Sequence, residues 1–225
     1  VIPWLLVAKA PIPGGGELRL MRRGAEFSIR LGADELMNSR SGGSEEALAV
    51  LACERIRGRA RPRVLIGGLG MGFTLRAALG ALGPSARVEV AELVPAVAQW
   101  AEGPMADVFA GSLQDARVRV ELADVAEIVR AAASAYDAIL LDVDNGPDGL
   151  TRPANDRLYD ASGLARARAA LKPGGILAVW SSRPDPRFTR RLRETGFAVE
   201  EVAARERGGR GARRWIWLAS RSERG

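Results

Sequence analysis

The chain contains no histidine. Imidazole bases, histidine-containing triads and histidine-ligated metal centres are therefore excluded together, and no metal is expected. Acid–base work falls to carboxylates, the tyrosines, the thiol and two lysines, Lys9 and Lys172. Cysteine is as scarce. Cys53 has no partner for an internal disulfide, and it falls in a helix-like run from Glu45 to Arg57. A packed core thiol is expected there rather than a nucleophile, with a reducing, cytoplasmic setting. No apolar run approaches the roughly 20 residues that span a bilayer, so no membrane partner is expected. Val1 to Ala10 is apolar but lacks the basic start of a signal peptide, and reads as a first strand.

The scarcity of lysine also explains the charge. The net charge of +6 and the pI of about 10.5 are almost wholly arginine. The arginines are spread among 27 acids rather than gathered in a block. Their densest group (Arg205, Arg207, Arg210, Arg213, Arg214) flanks a glycine-rich turn, as in a solvated hairpin. Nucleic acid is not the expected partner.

What is present is 225 residues, 47% apolar, enough for one domain with a small appendage. Residues 1–39 read as a small β region. Glu17 to Met21 and Glu26 to Leu31 are strand-like, with Arg22-Arg23-Gly24 as the turn between them. Residues 40–225 read as a second unit. It opens on a helix with Ser44 as N-cap, Glu45 and Glu46 in the first turn, and Ala47, Leu48, Leu51 and Ala52 as the apolar face.

Strict alternation follows. Strands are expected at Val64–Ile66, Val88–Ala91, Val118–Leu122, Ala138–Leu141 and Ile176–Trp180. Helices are expected at Phe73–Leu82, from Pro95, at Val125–Ala133, at Ser162–Leu171 and at Phe188–Thr195. This pattern implies a parallel sheet covered on both faces. The final two strands, Phe197–Ala203 and Arg213–Ala219, are joined by Arg207-Gly208-Gly209-Arg210 and must be antiparallel neighbours. The expected fold is a doubly wound α/β, mostly parallel, seven-stranded sheet of the class I methyltransferase type, with an antiparallel last strand.

Three features fall at three successive strand ends. Gly67-Gly68-Leu69-Gly70-Met71-Gly72 leaves a strand and enters a helix, where glycines admit a ligand close to the backbone and offer amide donors. Glu92 ends the next strand, placed to accept bonds from both ribose hydroxyls, with Leu93 to pack on a purine. Asp124-Val125 follows the third, where a side chain meets an adenine amino group. Together Gly67, Gly68, Gly70, Gly72, Glu92, Leu93, Asp124 and Val125 make a candidate adenosyl site. An NAD site would also use a glycine loop and an acid, but the antiparallel ending, the lack of a separate substrate domain and Leu171-Lys172-Pro173-Gly174-Gly175 favour S-adenosylmethionine-type ligands.

The fourth strand runs into Asp142-Val143-Asp144-Asn145-Gly146-Pro147-Asp148. With the double glycine, Thr74-Leu75-Arg76, Glu92, Tyr136-Asp137, Leu158-Tyr159 and Leu-Lys-Pro-Gly-Gly, the stretch from Arg63 to Trp180 resembles the spermidine synthase (aminopropyltransferase) family. The resemblance implies transfer of an aminopropyl group from decarboxylated S-adenosylmethionine to an amine such as putrescine, leaving methylthioadenosine. It implies Asp142 as the amine-orienting base and Asp144 as its helper.

The chain also departs from the family. The loop has no acid where the family reads Gly-Gly-Gly-Asp-Gly-Gly, the two acids after the fourth strand are one residue apart rather than two, and Ser44-Glu45-Glu46 stands where a Tyr/His-Glu element is expected. These departures fall on the amine side. Two other readings stay open: a methyltransferase acting on a small molecule, and a non-catalytic adenosyl-binding relative. Trp215 and Trp217 alternate with Ile216, which predicts one face of the last strand exposed or at an interface. A homodimer through this edge or the N-terminal strands is the matching expectation. Trp100 and Trp180 are expected in the core, Trp180 with access to the cleft.

Overall fold

The computed structural model describes residues 2–13, 15–143, 147, 156–205 and 212–223. Its N-terminal part is a four-stranded antiparallel meander: β1 (Leu5–Pro11), β2 (Glu17–Arg23), β3 (Glu26–Leu31) and β4 (Asp34–Asn38), paired in chain order. The expected hairpin is its centre. Leu18 and Leu20 of β2, and Phe27 and Ile29 of β3, point inward at the two-residue period and are buried. Edge strand β1 is different, for Leu5, Leu6 and Val7 are all exposed.

The remainder alternates as expected. It runs α1 (Gly43–Arg55), β5 (Arg63–Gly67), α2 (Phe73–Ala81), β6 (Arg87–Glu92), α3 (Pro95–Glu102), α4 (Ala106–Phe109) and β7 (Val118–Leu122). There follow α5 (Val125–Ala131), β8 (Tyr136–Leu141), α6 (Asp156–Tyr159), α7 (Ala161–Ala170), β9 (Leu171–Ser181), α8 (Pro186–Glu194), β10 (Phe197–Ala204) and β11 (Arg214–Arg221). The sheet order is β10-β11-β9-β8-β5-β6-β7. All pairs are parallel except those made by β11, which lies between β9 and β10. This is the expected seven-stranded class with its one reversed strand.

Neighbouring residues on the central strands feed opposite layers. Val64, Ile66, Ala138 and Leu140 join a core with α1, α2, α3 and the N-terminal meander. Leu65, Ile139 and Leu141 join a second core with α5, α7 and α8. The meander therefore shares a core with one face of the large sheet. Among the described residues no helix is long and apolar enough to cross a membrane.

Three local expectations are corrected. The first helix is capped by Gly42, not Ser44, which sits buried inside the first turn. A Cβ at Gly42 would lie 2.2 Å from the Phe73 ring, so packing of the ring overrides the usual preference for a hydroxyl cap. Lys172-Pro173-Gly174-Gly175 is not a turn ahead of the fifth parallel-type strand but part of β9. Leu171 already pairs with Tyr136, and the register shifts before Ala138 meets Ile176. Lys172 holds this irregular start in place by donating to buried Asp137 Oδ2 at 2.6 Å. Finally, β11 is not an edge. Trp217 is fully buried, stacked edge-on with Phe188 at 5.0 Å, and its indole N–H donates to Thr189 Oγ1 at 2.8 Å. Trp215 is half-buried. The turn between β10 and β11 lies outside the described residues.

Candidate active site

The chain lays β5, β6 and β7 outward to one edge, then returns to the other side of β5 with β8. Loops leaving β5 and β8 therefore diverge, and the crevice between them is where an open α/β sheet binds ligands. Gly67 and Leu141, the last residues of the two strands, lie in register. One residue further, the Asp142 N–H donates to the Gly67 carbonyl at 3.1 Å, while the Gly68 N–H turns the other way and donates to Ala91 of β6 at 2.9 Å. Gly68 has a φ of +91°, and a Cβ there would stand 2.6 Å from the Asp142 carbonyl oxygen. Only glycine allows the two loops to approach this closely.

Two adjoining cavities open at this crevice. The first is walled by Gly68, Gly70, Glu92, Leu93, Asp124, Val125 and Asp142 from the sheet side, and by apolar residues of the meander, among them Ile29, Leu36 and Met37, from the other. The second is bounded by Asn38, Glu45, Leu69, Met71, Phe73 and Trp180. Leu36, Met37, Gly70 and Asp142 face both. Of the adenosyl-site residues expected from sequence, six come together in the first cavity. Gly72 borders the second. Gly67 borders neither: as the last residue of β5 it is closely packed, a Cβ there lying 3.1 Å from Val125 and 3.2 Å from Leu141.

Glu92 ties the first cavity together. One carboxylate oxygen accepts from the Leu69 N–H at 3.0 Å and the other from the Val94 N–H at 2.7 Å. Burial pushes its carboxyl above the ordinary range, and the backbone N–H groups of Val94, Leu69, Leu93 and Gly70 pull the other way. Asp124 is half-buried and caps α5, accepting from the Ala126 N–H at 2.8 Å. The glycine loop is also held from its far side, where Arg76 donates to the carbonyls of Met71 at 3.0 Å and Val108 at 2.7 Å.

Asp142 stands where the cavities meet. Its carboxylate Oδ2 accepts from the Thr74 hydroxyl at 2.7 Å, and Thr74 itself is buried on the first turn of α2. Burial pushes the Asp142 carboxyl up to about 6, against the opposing pull of that hydrogen bond. Such a group is ionised at neutral pH and close enough in pKa to exchange protons. Asp144 and Asp148 lie outside the described residues. Cys53 is buried on α1, away from both cavities, with its thiol pushed up to about 12 by burial, as a packed core thiol should be.

Sequence reasoning missed the meander and α1 as site-forming elements. Leu36, Met37 and Asn38 come from β4, a strand of five residues with no turn signal strong enough to mark it. Glu45 was read as a helix-terminus acid. Thr74 was legible only as part of Thr74-Leu75-Arg76; its role depends on a contact 68 residues away.

No protein-family model matches the chain. It is 36% identical over 145 residues to the polyamine aminopropyltransferases of Mycobacterium tuberculosis and Mycobacterium bovis. That match covers 60% of this chain and 27% of those relatives, so the chain spans about a quarter of their length. Two crystal structures of spermidine synthase, one from Thermotoga maritima and one of a complex with the transition-state analogue AdoDATO, each superpose with a TM-score of 0.74. Each is 18% identical and covers 96% of this chain and 72% of its own. Human methyltransferase-like protein 13, in complex with SAH, superposes with a TM-score of 0.57 at 19% identity, over 81% of this chain and 82% of that one. The chain is thus similar in sequence to polyamine aminopropyltransferases and has the fold shared by spermidine synthases and a methyltransferase-like protein.

Proposed function

We propose that this chain is an aminopropyltransferase of the spermidine synthase kind, holding decarboxylated S-adenosylmethionine in the first cavity and an acceptor amine in the second. The observation that carries the proposal is the charge of the walls. The chain holds 33 lysines and arginines, yet among the described residues none borders either cavity, while Glu92, Asp124, Asp142 and Glu45 do. Among the described residues the carboxylate of S-adenosylmethionine would find no cationic side chain there. A decarboxylated donor, cationic at its sulfonium and at its amine, suits acidic walls.

The donor's ribose hydroxyls are assigned to Glu92, its adenine to the gap between Leu93 and Val125, and its amino edge to Asp124. The donor supplies an electrophilic carbon beside a positive sulfur. A neutral amine attacks that carbon with its lone pair, the carbon–sulfur bond breaks, and the bonding electrons return to sulfur to give methylthioadenosine. The new secondary ammonium carries one proton too many. Asp142, at the junction and with its acid strength set near 6 by burial, orients the amine and takes that proton. Asp144 is kept as its helper by resemblance alone.

Calorimetric titration with methylthioadenosine and with S-adenosylhomocysteine tests the reading, since the two differ chiefly in the amino-acid tail. Tighter methylthioadenosine binding supports it. Preference for S-adenosylhomocysteine overturns it in favour of methyl transfer, and binding of neither removes the adenosyl site itself.

The same proposal divides the work between two units, residues 1–39 and 40–225. It places the chain in the cytoplasm, in keeping with its lone buried thiol. It also includes a homodimer through β1, whose exposed Leu5, Leu6 and Val7 leave an apolar edge strand uncovered.

A further inference from the structure

The arginines that look dispersed along the sequence are gathered by the fold. From Asp156 to Glu194, which spans α6, α7, β9 and α8, the chain holds nine lysines and arginines against four acids, and so carries five of its six net positive charges. α7 buries Leu164, Ala167 and Ala170, and α8 buries Phe188 and Leu192, in the core on one face of the large sheet. What this layer turns outward is guanidinium: Arg157, Arg166, Arg183, Arg187, Arg190 and Arg193 are all exposed. We infer that the layer is a docking surface for the phosphate backbone of a nucleic-acid duplex. The inference is independent of the transferase reading, for none of these arginines borders either cavity of the crevice.

The charge is not neutralised within the protein. Arginines elsewhere, among them Arg55, Arg63 and Arg117, pair with carboxylates. Among the described residues none of the six lies within 4.0 Å of one. The acids nearby are engaged otherwise. Asp160 and Asp185 cap α7 and α8, accepting from the N–H groups of Gly163 at 2.7 Å and Arg187 at 2.8 Å. Glu201 of β10 accepts from the Thr189 hydroxyl at 2.8 Å. Glu127 of α5 shares a small cavity with Arg157 and Arg166, but it is bonded to Arg130 at 2.9 Å. Arg130, with Arg166 and Arg157 adding to it, holds the Glu127 carboxyl below its ordinary range, as a positive local field does.

The chemistry of the surface selects among polyanions. A guanidinium fork matches two phosphate oxygens at once, which an ammonium does not. Arg187, Arg190 and Arg193 recur at three-residue steps on α8 and so stand as neighbours along the helix. None of the exposed large apolar residues falls in this layer, so it has nothing to insert into a bilayer. Tyr159 and Phe188 are buried, and a single strand would find no aromatic platform on which to stack its bases. Such a surface holds phosphates without reading bases.

The test is fluorescence anisotropy of a labelled DNA duplex of about 20 base pairs, titrated with the whole chain at salt concentrations from about 50 to about 200 mM. Binding is expected to weaken by about 10²–10³-fold across that range, as four or five neutralised phosphates require. The triple variant Arg187→Gln, Arg190→Gln, Arg193→Gln should lose at least about tenfold in affinity at the lowest salt, and its log–log salt slope should flatten by about three. A control triple, Arg57→Gln, Arg61→Gln, Arg87→Gln, removes the same charge from exposed positions near the starts of β5 and β6, and should change the slope by less than about one. Thermal melting of both triples keeps a folding defect apart from a lost contact. Three results overturn the inference: the duplex does not bind at the lowest salt, the two triples lose affinity alike, or vesicles of anionic phospholipid bind through the α8 arginines while the duplex does not.

Discussion

The first and second cavities, which we propose hold donor and acceptor, are built on different principles. The donor side is made by the ends of successive parallel strands: the loop after β5, Glu92 at the end of β6, Asp124 after β7 and Asp142 after β8. Their positions follow from the winding of the sheet, and backbone hydrogen bonds fasten them to one another. The acceptor side is made by side chains from β4, α1 and the bottom of the glycine loop, brought together only by packing. One side is a property of the fold, the other a property of particular side chains. Substitutions should therefore act on the two sides unequally.

The largest effect should come where the sides are joined. Gly68→Ala combines a positive φ with a Cβ 2.6 Å from the Asp142 carbonyl. It is expected to cost about 2–4 kcal/mol of stability in chemical denaturation. Methylthioadenosine and amine binding should disappear together, and survival of either would show that the joint is not shared.

Asp142→Asn should separate the sides. Turnover is expected to fall by about 10²–10⁴-fold, while methylthioadenosine affinity changes little. The same variant carries a stability signature. The Asp142 carboxyl sits at about 6 in the fold, against 3.8 for an ordinary aspartate. The fold thus favours the protonated form, and that contribution is present below pH 3.8 and lost as pH rises through 6. At pH 8 the ionised group costs about 3 kcal/mol, from about two pKa units. Asp142→Asn is therefore expected to be more stable than the unaltered chain at pH 8, with the advantage gone at pH 4, as denaturant midpoints at the two pH values will show.

A smaller effect tests how Asp142 is tuned. The Thr74 hydroxyl lowers the Asp142 pKa, so Thr74→Val should move the acidic limb of the kcat/KM profile to higher pH. A loss of several-fold is expected near pH 6, little at pH 8.5, and Thr74→Ser should restore the profile. Among the described residues Glu45, Glu92 and Asp124 are the other acids bordering the two cavities, and a limb that follows Glu45→Gln instead would assign the titration elsewhere.

The smallest effect should come from the edge of the meander. Replacing Leu5 and Leu6 by lysine is expected to leave methylthioadenosine affinity within about twofold, as surface changes do, while lowering the sedimentation coefficient if β1 joins two copies. An unaltered chain that sediments as a monomer at micromolar concentration removes the dimer from the proposal.

This division also explains what could be read from the sequence. The large sheet was legible because continuous apolar runs such as Ala138–Leu141 separate helices with clear starts, as at Pro95. Glu92 and Asp124 were legible because strand ends fix where they go. Ser44 misled because hydroxyl caps are common, whereas the decisive contact is the Phe73 ring over Gly42, 31 residues on. Trp215 and Trp217 misled because alternation normally marks a strand with one open face, but here Trp217 packs on Phe188 of α8 while Ile216 and Leu218 join the core with α1 on the other face. Glu45 was visible as an acid at a helix start, and nothing local distinguishes it from Glu46; only the meeting of α1 with the β4 strand does.

Gly70 has a consequence for how such a chain changes over generations. Its φ of +50° is one that aspartate and asparagine tolerate better than other side chains. A Cβ there would meet only the thioether end of Met37, at 3.2 Å and 3.9 Å. The left-handed backbone and the 3.2 Å contact both resist a side chain, but the atom in the way is the flexible end of Met37, and the position faces both cavities. An aspartate at this position would add an anion to the wall that both cavities share, with Met37 as the side chain that has to move. The charge of that shared wall can thus turn on one side chain, while the sheet beneath it is fixed by many.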